Sequence, residues 1–271
     1  MSGTRDLPRV IASDCDGTLL RSDGTVSDRT RRVLARAEQV GMTVVLVTAR
    51  PPRWMHELAD VAGGHGVVLC GNGAFTYDLA LGEVTSHRLM ATDVVLDIVT
   101  DLRREVPGVT FALESLEGFA REPDFERASG RHDGQWRVGP IEQLVEHAPG
   151  KMLVRHPTWA VDDLHRRVAA VVAERAEVSH SGAVGLAEIG ATGVTKGLAL
   201  ATWCDEQGFT AAEVWAFGDM PNDLPMLVWA GRSFAVGNAH PDVHAAATDA
   251  CPSNDEDGVA VTVERALGLH A

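Results

Sequence analysis

The sequence predicts an α/β protein: a doubly wound, mainly parallel sheet interrupted by an inserted α+β domain. Three observations carry this. Short β-branched apolar runs alternate with helix-length segments at both ends of the chain. Between residues 83 and 187 that rhythm gives way to strand-length runs in hairpin-like pairs. The length of 271 residues lies between one large domain and two, at roughly 150 residues per domain.

Residues 8–13 form an apolar run ended by Asp14, the pattern of a buried strand. Ser27 or Asp28 can cap a helix that carries Val33, Leu34 and Ala37 on one face and stops at Gly41. With the strand Thr43–Val47 this makes a βαβ unit with parallel pairing. Pro51 and Pro52 suit the first turn of a helix reaching about residue 62. A third strand over 66–70 follows, then the turn Gly71-Asn72-Gly73. Segments 74–77 and 83–88 flank Leu81-Gly82 as a hairpin. The helix Thr92–Glu105 precedes a strand pair over 110–113 and Gly118–Arg121. Helix and strand then alternate over 141–147, Lys151–Arg155, 161–174, 177–180 and 185–189. From Lys196 the βα order resumes: helix Lys196–Gln207, strand 214–217, helix 222–230, strand 233–236, a short helix from Pro241 and a last helix over 259–267. The expected division is a core of residues 1–82 and 188–271 around an inserted domain of 83–187.

The formal charge, 24 basic against 38 acidic residues or −14, argues against general binding to nucleic acid or an anionic membrane. Apolar runs around 44–47 and 67–70 fall far short of the roughly 20 residues that span a bilayer. Residues 1–8 lack the apolar stretch of a secretory signal, so a cytoplasmic location is expected. Cys15, Cys70, Cys204 and Cys251 form no C-x-x-C pair and read as reduced thiols. Of the 24 basic residues only Lys151 and Lys196 are lysine, so a surviving lysine marks a place where a compact ammonium is needed.

The chemistry concentrates at predicted strand ends, where an open parallel sheet presents its ligand sites. Asp14-Cys15-Asp16-Gly17-Thr18 follows the first strand, and two carboxylates two residues apart can act as nucleophile and proton carrier if a cation holds both. Thr48 follows the second strand, where its hydroxyl and the next amide can meet a phosphate oxygen. Lys196 opens a helix after the linker 190–193, and its point charge can bind phosphate and the first carboxylate together. Gly218-Asp219-Met220-Pro221-Asn222-Asp223 adds two carboxylates and an amide at a strand-to-helix turn, oxygen ligands that suit Mg²⁺.

These four elements, in this order, resemble the motifs of the haloacid dehalogenase superfamily. Asn72-Gly73-Ala74, Thr195-Lys196-Gly197, Gly237-Asn238-Ala239 and the segment 254–259 are similar to its Cof-type branch, whose type IIB cap sits where the insert lies. The resemblance implies a Rossmann-like core sheet, an inserted α+β cap and a Mg²⁺-dependent phosphatase that acts through an aspartyl phosphate. It makes Asp14 the nucleophile and Asp16 the proton shuttle, with Asp14, the Asp16 carbonyl and Asp219 on the metal and Asp223 in support. Thr48, the Ala49 amide, Lys196, Asn222 and the Cys15 amide would hold the phosphoryl oxygens. The implied partner is a small phosphorylated metabolite, a sugar phosphate by family habit. Ala49 stands where the family usually has glycine, which implies a strained or reshaped loop if that position needs positive φ.

Competing readings carry less. Cys15 and Arg21 have the C-x5-R spacing of thiolate phosphatases, but apolar Leu19-Leu20 stands where amides must face phosphate. Asp255, Asp257, Gly258 and Glu264 partly imitate a calcium loop, with Ser253 and Val261 at other ligand positions. His56, His65 and His87 show no zinc spacing. Glu114, Trp136 and His180 are candidate substrate contacts in the insert. A phosphosugar mutase on the same fold is the alternative function, and a non-catalytic phospho-metabolite sensor is the third.

Overall fold

The structure, a computed structural model, describes residues 7–59, 66–125, 136–182 and 185–269. The expected helix end near residue 62 and His65 lie outside the described residues.

Eight strands form one sheet in the order Asp249–Ala250, Arg232–Ala235, Val214–Gly218, Val10–Ser13, Thr43–Val47, Val67–Cys70, Phe75–Asp78 and Glu83–His87. The first six run parallel, Phe75–Asp78 runs back against them, and Glu83–His87 pairs antiparallel with it. Alternation along each strand sends side chains to opposite faces. Val10, Ala12, Val45, Val47, Val214 and Ala216 meet the helices Lys196–Gln207 and Leu224–Trp229, burying Leu200, Met226 and Leu227. Ile11, Val44, Leu46 and Phe217 face the helices Asp28–Gln39 and Gly258–Leu267. Ser27 caps the first of these, its hydroxyl accepting from the Thr30 amide. With both faces covered, the carboxyl ends of the parallel strands form the open edge, and Asp14, Thr48 and Asp219 stand there side by side.

A second sheet has the order Glu177–Ser179, Leu186–Gly190, Lys151–Arg155, Thr110–Ser115, Gly118–Arg121 and Arg137–Val138. The helices Thr92–Glu105 and Val161–Val172 pack on one of its faces around Ile98, Leu102, Phe111, Met152 and Val168. Period two puts Glu114, Lys151, Leu153, Leu186 and Glu188 on the other face, toward the ends of the parallel strands.

The domain boundaries expected at 83 and 187 fall within strands. Glu83–His87 continues the eight-stranded sheet through its hairpin with Phe75–Asp78, and Leu186–Gly190 pairs wholly within the second sheet. The crossings therefore lie at 88–91 and 191–195. A change of rhythm marks a hairpin but does not say which sheet its outer strand extends. The helix expected over 222–230 divides into a 3₁₀ turn, Pro221–Asp223, and an α-helix, Leu224–Trp229, and Pro52–Leu58 is wholly 3₁₀. Ala49 is not among the described non-glycine residues with positive φ, which are Asn72, Ala173 and Asp257, so the strain expected at Ala49 is absent. Among the described residues no helix is long and apolar enough to cross a membrane.

The insert is seated closely on the core at Gly150. A Cβ there would stand 2.3 Å from Phe75 Cζ and 3.0 Å from Ala74 Cβ. Gly150→Ala is expected to cost about 1–3 kcal/mol by overpacking, read as a lower midpoint in urea denaturation.

Candidate active site

The centre of the site is a buried charge cluster. Lys196 Nζ lies 2.6 Å from Asp14 Oδ1 and 2.6 Å from Asp223 Oδ1, with the ammonium 1% exposed. Its helix begins at Lys196 because Thr195 caps it, accepting from the Leu198 amide at 3.1 Å. Asp223 Oδ2 accepts from the amides of Asp219 and Met220, both at 3.0 Å, so one carboxylate shapes the turn and holds the lysine. Oxygens of Asp14, Asp219 and Asp223 all lie within 4.8 Å of one another.

Burial pushes the Asp14 carboxyl well above the usual carboxylate range; Asp223 and Asp219 push the same way, and Lys196 pulls against them. Burial and Asp223 push Asp219 up to about 6, against the Thr18 hydroxyl that donates to it at 3.0 Å. Burial alone would lower Lys196, but the two carboxylates outweigh it and hold the ammonium above its ordinary value. Three buried acids around one buried base leave an excess of negative charge that a divalent cation would neutralise.

The loop carrying Asp14 and Asp16 is pinned from three sides. Gly17 has φ of +81°, and a Cβ there would stand 2.3 Å from Asp219 Oδ2. Asn238 donates to the Gly17 carbonyl at 2.7 Å and Asn254 to the Leu20 carbonyl at 2.9 Å, which accounts for the two C-terminal segments singled out from the sequence. The Asp16 carboxylate is turned away from the acid cluster and is gripped by Arg50, whose Nε and Nη2 donate at 2.8 and 2.6 Å.

Thr48 is fully buried and accepts the Arg50 amide on Oγ1 at 3.1 Å. The three carbonyls of residues 48–50 all have donors: the Asn72 amide at 3.0 Å, Lys151 Nζ at 2.7 Å and the Gly71 amide at 2.8 Å. Asn72 holds φ of +59°, a strained conformation. Its side chain donates to Glu188 Oε2 at 2.8 Å and Ser179 Oγ at 3.1 Å, and accepts from Asn222 Nδ2 at 3.1 Å. Glu188 Oε1 accepts from Lys151 at 3.1 Å, so a continuous polar chain joins insert and core. Asn222 Oδ1 is buried at the end of that chain with no partner among the described residues.

Above these groups lies a cavity of about 380 Å³. Asp14, Asp16, Ala49, Arg50, Asp219 and Asn222 line its floor; Phe119, Phe125, Leu153 and Leu186 of the insert line its apolar wall. Glu114 lines it too, held by Arg53 Nε and Nη2 at 3.0 and 2.6 Å, with the Arg53 guanidinium over the rings of Trp54 and Phe119. Trp136 instead packs edge-on behind Phe119, and His180 stands beside His165 and Asp162; neither is among the lining residues. Arg50, Arg53, Lys151, Glu188 and the cavity aromatics were not found from the sequence. Only the scarcity of lysine pointed to one of them, Lys151.

The competing readings fail on the same geometry. Cys15 is fully buried and its thiol is pushed far up by burial, then by Asp14 and Asp16. Arg21 is committed to Asp257 at 3.0 and 2.9 Å. Of the imitated calcium ligands, Asp255 binds Ser22 and Glu264 binds Arg29.

A family model described as haloacid dehalogenase-like hydrolase matches residues 11–263. A 5-amino-6-(5-phospho-D-ribitylamino)uracil phosphatase of Bacillus subtilis is 28% identical over 257 residues, covering 94% of each chain. A pyridoxal phosphate phosphatase of Escherichia coli is 27% identical over 93% of this chain and 96% of its own. Among solved structures, SMU.1108c of Streptococcus mutans superposes with a TM-score of 0.83 at 23% identity, covering 96% of this chain and 99% of its own. The subclass IIB sugar phosphatase BT4131 gives 0.81 at 21% identity, covering 97% and 100%. The chain belongs to the haloacid dehalogenase-like hydrolases. Within them it is a phosphatase of the Cof-type branch, and the second sheet with its helices stands in the place of a cap.

Two outcomes follow from the nucleophile loop. Gly17→Ala is expected to abolish most phosphatase activity, because an alanine is strained at its positive φ and the added Cβ runs into Asp219. Cys15→Ser is expected to keep activity within about threefold, since so strongly raised a thiol is not a nucleophile. Initial-rate assays on the folded variants check both.

Proposed function

We propose that the protein is a Mg²⁺-dependent phosphatase that hydrolyses small phosphomonoesters through an aspartyl phosphate. The observation that carries this reading is the buried Asp14–Lys196–Asp223 cluster, joined by Asp219, whose members Asp14 and Asp219 line the floor of a cavity that the cap covers. Asp14 attacks phosphorus and Lys196 offsets the charge on nucleophile and phosphoryl oxygens. Asp16 leaves Arg50 to protonate the departing alcohol, then takes a proton from the water that cleaves the acyl phosphate. The Thr48 hydroxyl, the amides of Cys15 and Ala49, and Asn222 hold the phosphoryl oxygens.

The acid cluster fits a hard divalent cation, because its donors are all oxygens and its negative charge exceeds that of Lys196. Asp14, Asp219 and the Asp16 carbonyl would hold Mg²⁺. Asp223, with both oxygens already accepting, would position Asp219 and Lys196. Bound there, Mg²⁺ supplies charge stabilisation to the phosphoryl group.

Phosphorylated metabolites are the substrate class supported by the size of the cavity and by the relatives' substrates. The apolar wall of Phe119, Phe125, Leu153 and Leu186 favours a leaving group with one flat apolar face over a bare sugar. The test is phosphate release from a panel including glucose phosphate, ribose phosphate and pyridoxal phosphate, with Mg²⁺ and with excess EDTA. EDTA should abolish release, and Asp14→Asn should lower it by about 10³-fold or more while leaving the fold intact. Metal-independent release, or an active Asp14→Asn, would sink the reading. An isomerised sugar phosphate in place of free phosphate would favour a mutase.

A further inference from the structure

We infer that Lys151, although carried by the cap, is a positioning residue for phosphate recognition and does not select the leaving group. The inference rests on the reading that residues 48–50 hold the phosphoryl group.

Lys151 is 4% exposed and sits on the first residue of a cap strand, directly after Gly150, whose contact with Phe75 and Ala74 anchors that strand on the core. Its Nζ donates to the Ala49 carbonyl at 2.7 Å. The other two carbonyls of the loop are held by main-chain amides of residues 71 and 72, so Lys151 completes a row of three donors. A trans peptide sets its C=O and N–H in opposite directions. Fixing the Ala49 carbonyl on Lys151 therefore aims the Arg50 amide at Thr48 Oγ1, where it donates at 3.1 Å. A hydroxyl that accepts from a main-chain amide has its own proton left to give, and an ammonium at the carbonyl end polarises the same peptide. Lys151 in this way leaves the Thr48 hydroxyl poised as a donor.

Glu188 holds Lys151 in place and also anchors the other side of the loop. Through Asn72 it reaches both the Thr48 carbonyl, by the Asn72 amide, and Asn222, by the Asn72 side chain. The carboxylate accepts from Asn72 Nδ2, so Asn72 Oδ1 is left to accept from Asn222. Lys151 thus acts on the Thr48 hydroxyl, and Glu188, through Asn72, on Asn222.

The experiment measures, with Mg²⁺ present, the binding of inorganic phosphate by calorimetry, its competitive Ki, and KM for each active ester of the panel. In Lys151→Met the phosphate Kd and Ki are expected to rise about tenfold, as for loss of a charged hydrogen bond. KM should rise by the same factor for every ester. The double variant Lys151→Met with Glu188→Gln leaves no lone buried charge, folds where the single variant does not, and should show the same uniform rise. Combining Lys151→Met with Thr48→Val should add little to Thr48→Val alone, because both act through one hydroxyl. An unchanged phosphate Kd in a folded variant, or a rise in KM confined to some esters, would overturn the inference. Wild-type protein that neither binds nor releases phosphate would instead overturn the phosphatase reading beneath it.

Discussion

The ammonium of Lys196 between Asp14 and Asp223 is the contact on which the rest of the site depends. Three carboxylates this close could not be buried at the end of a sheet without a cation among them. The lysine is delivered by a capped helix start, Asp14 by the first strand, and Asp223 by a turn that its own carboxylate stabilises. Each of these local structures is ordinary. The parallel sheet brings them together by ending adjacent strands in register, so the fold of the core is also what assembles the charge cluster.

The cap has a divided role. Its helix-covered face holds it together around Phe111 and Met152, and its other face is half apolar wall and half ion pair. The apolar half, Phe119, Phe125, Leu153 and Leu186, walls the cavity. The polar half, Lys151 with Glu188, lines the cavity too and at the same time bonds the loops of the core.

The core was legible in the sequence because each element states itself locally. Asp14 and Thr48 follow β-branched apolar runs, Asp219 follows the apolar run Val214–Phe217, and Lys196 follows a capping threonine. The parts that were not legible depend on which face of a strand or loop a residue presents. Glu114, Lys151 and Glu188 share a face only once the cap sheet order is known, and that order joins strands far apart in the chain. Arg50 and Arg53 are two of 22 arginines and carry no local mark. The hairpin strand Glu83–His87 was assigned to the insert for a related reason, since nothing local says which sheet a solvent-edge strand continues. Trp136 and His180 were reasonable candidates by residue type, and packing behind Phe119 and beside His165 removes them from the cavity.

The distribution of basic residues gives the molecule an unusual division of labour. Arginine supplies the pairs with Asp257, Glu264 and Asp249 at the surface, where a planar fork suits a carboxylate. Both lysines are buried, at 1% and 4% exposure, and both touch the catalytic floor or the loop beside it. Reagents that acylate side-chain amines therefore have no surface lysine to consume them. In this chain, modification of a lysine side chain is modification of a group buried at the cavity end of the core sheet.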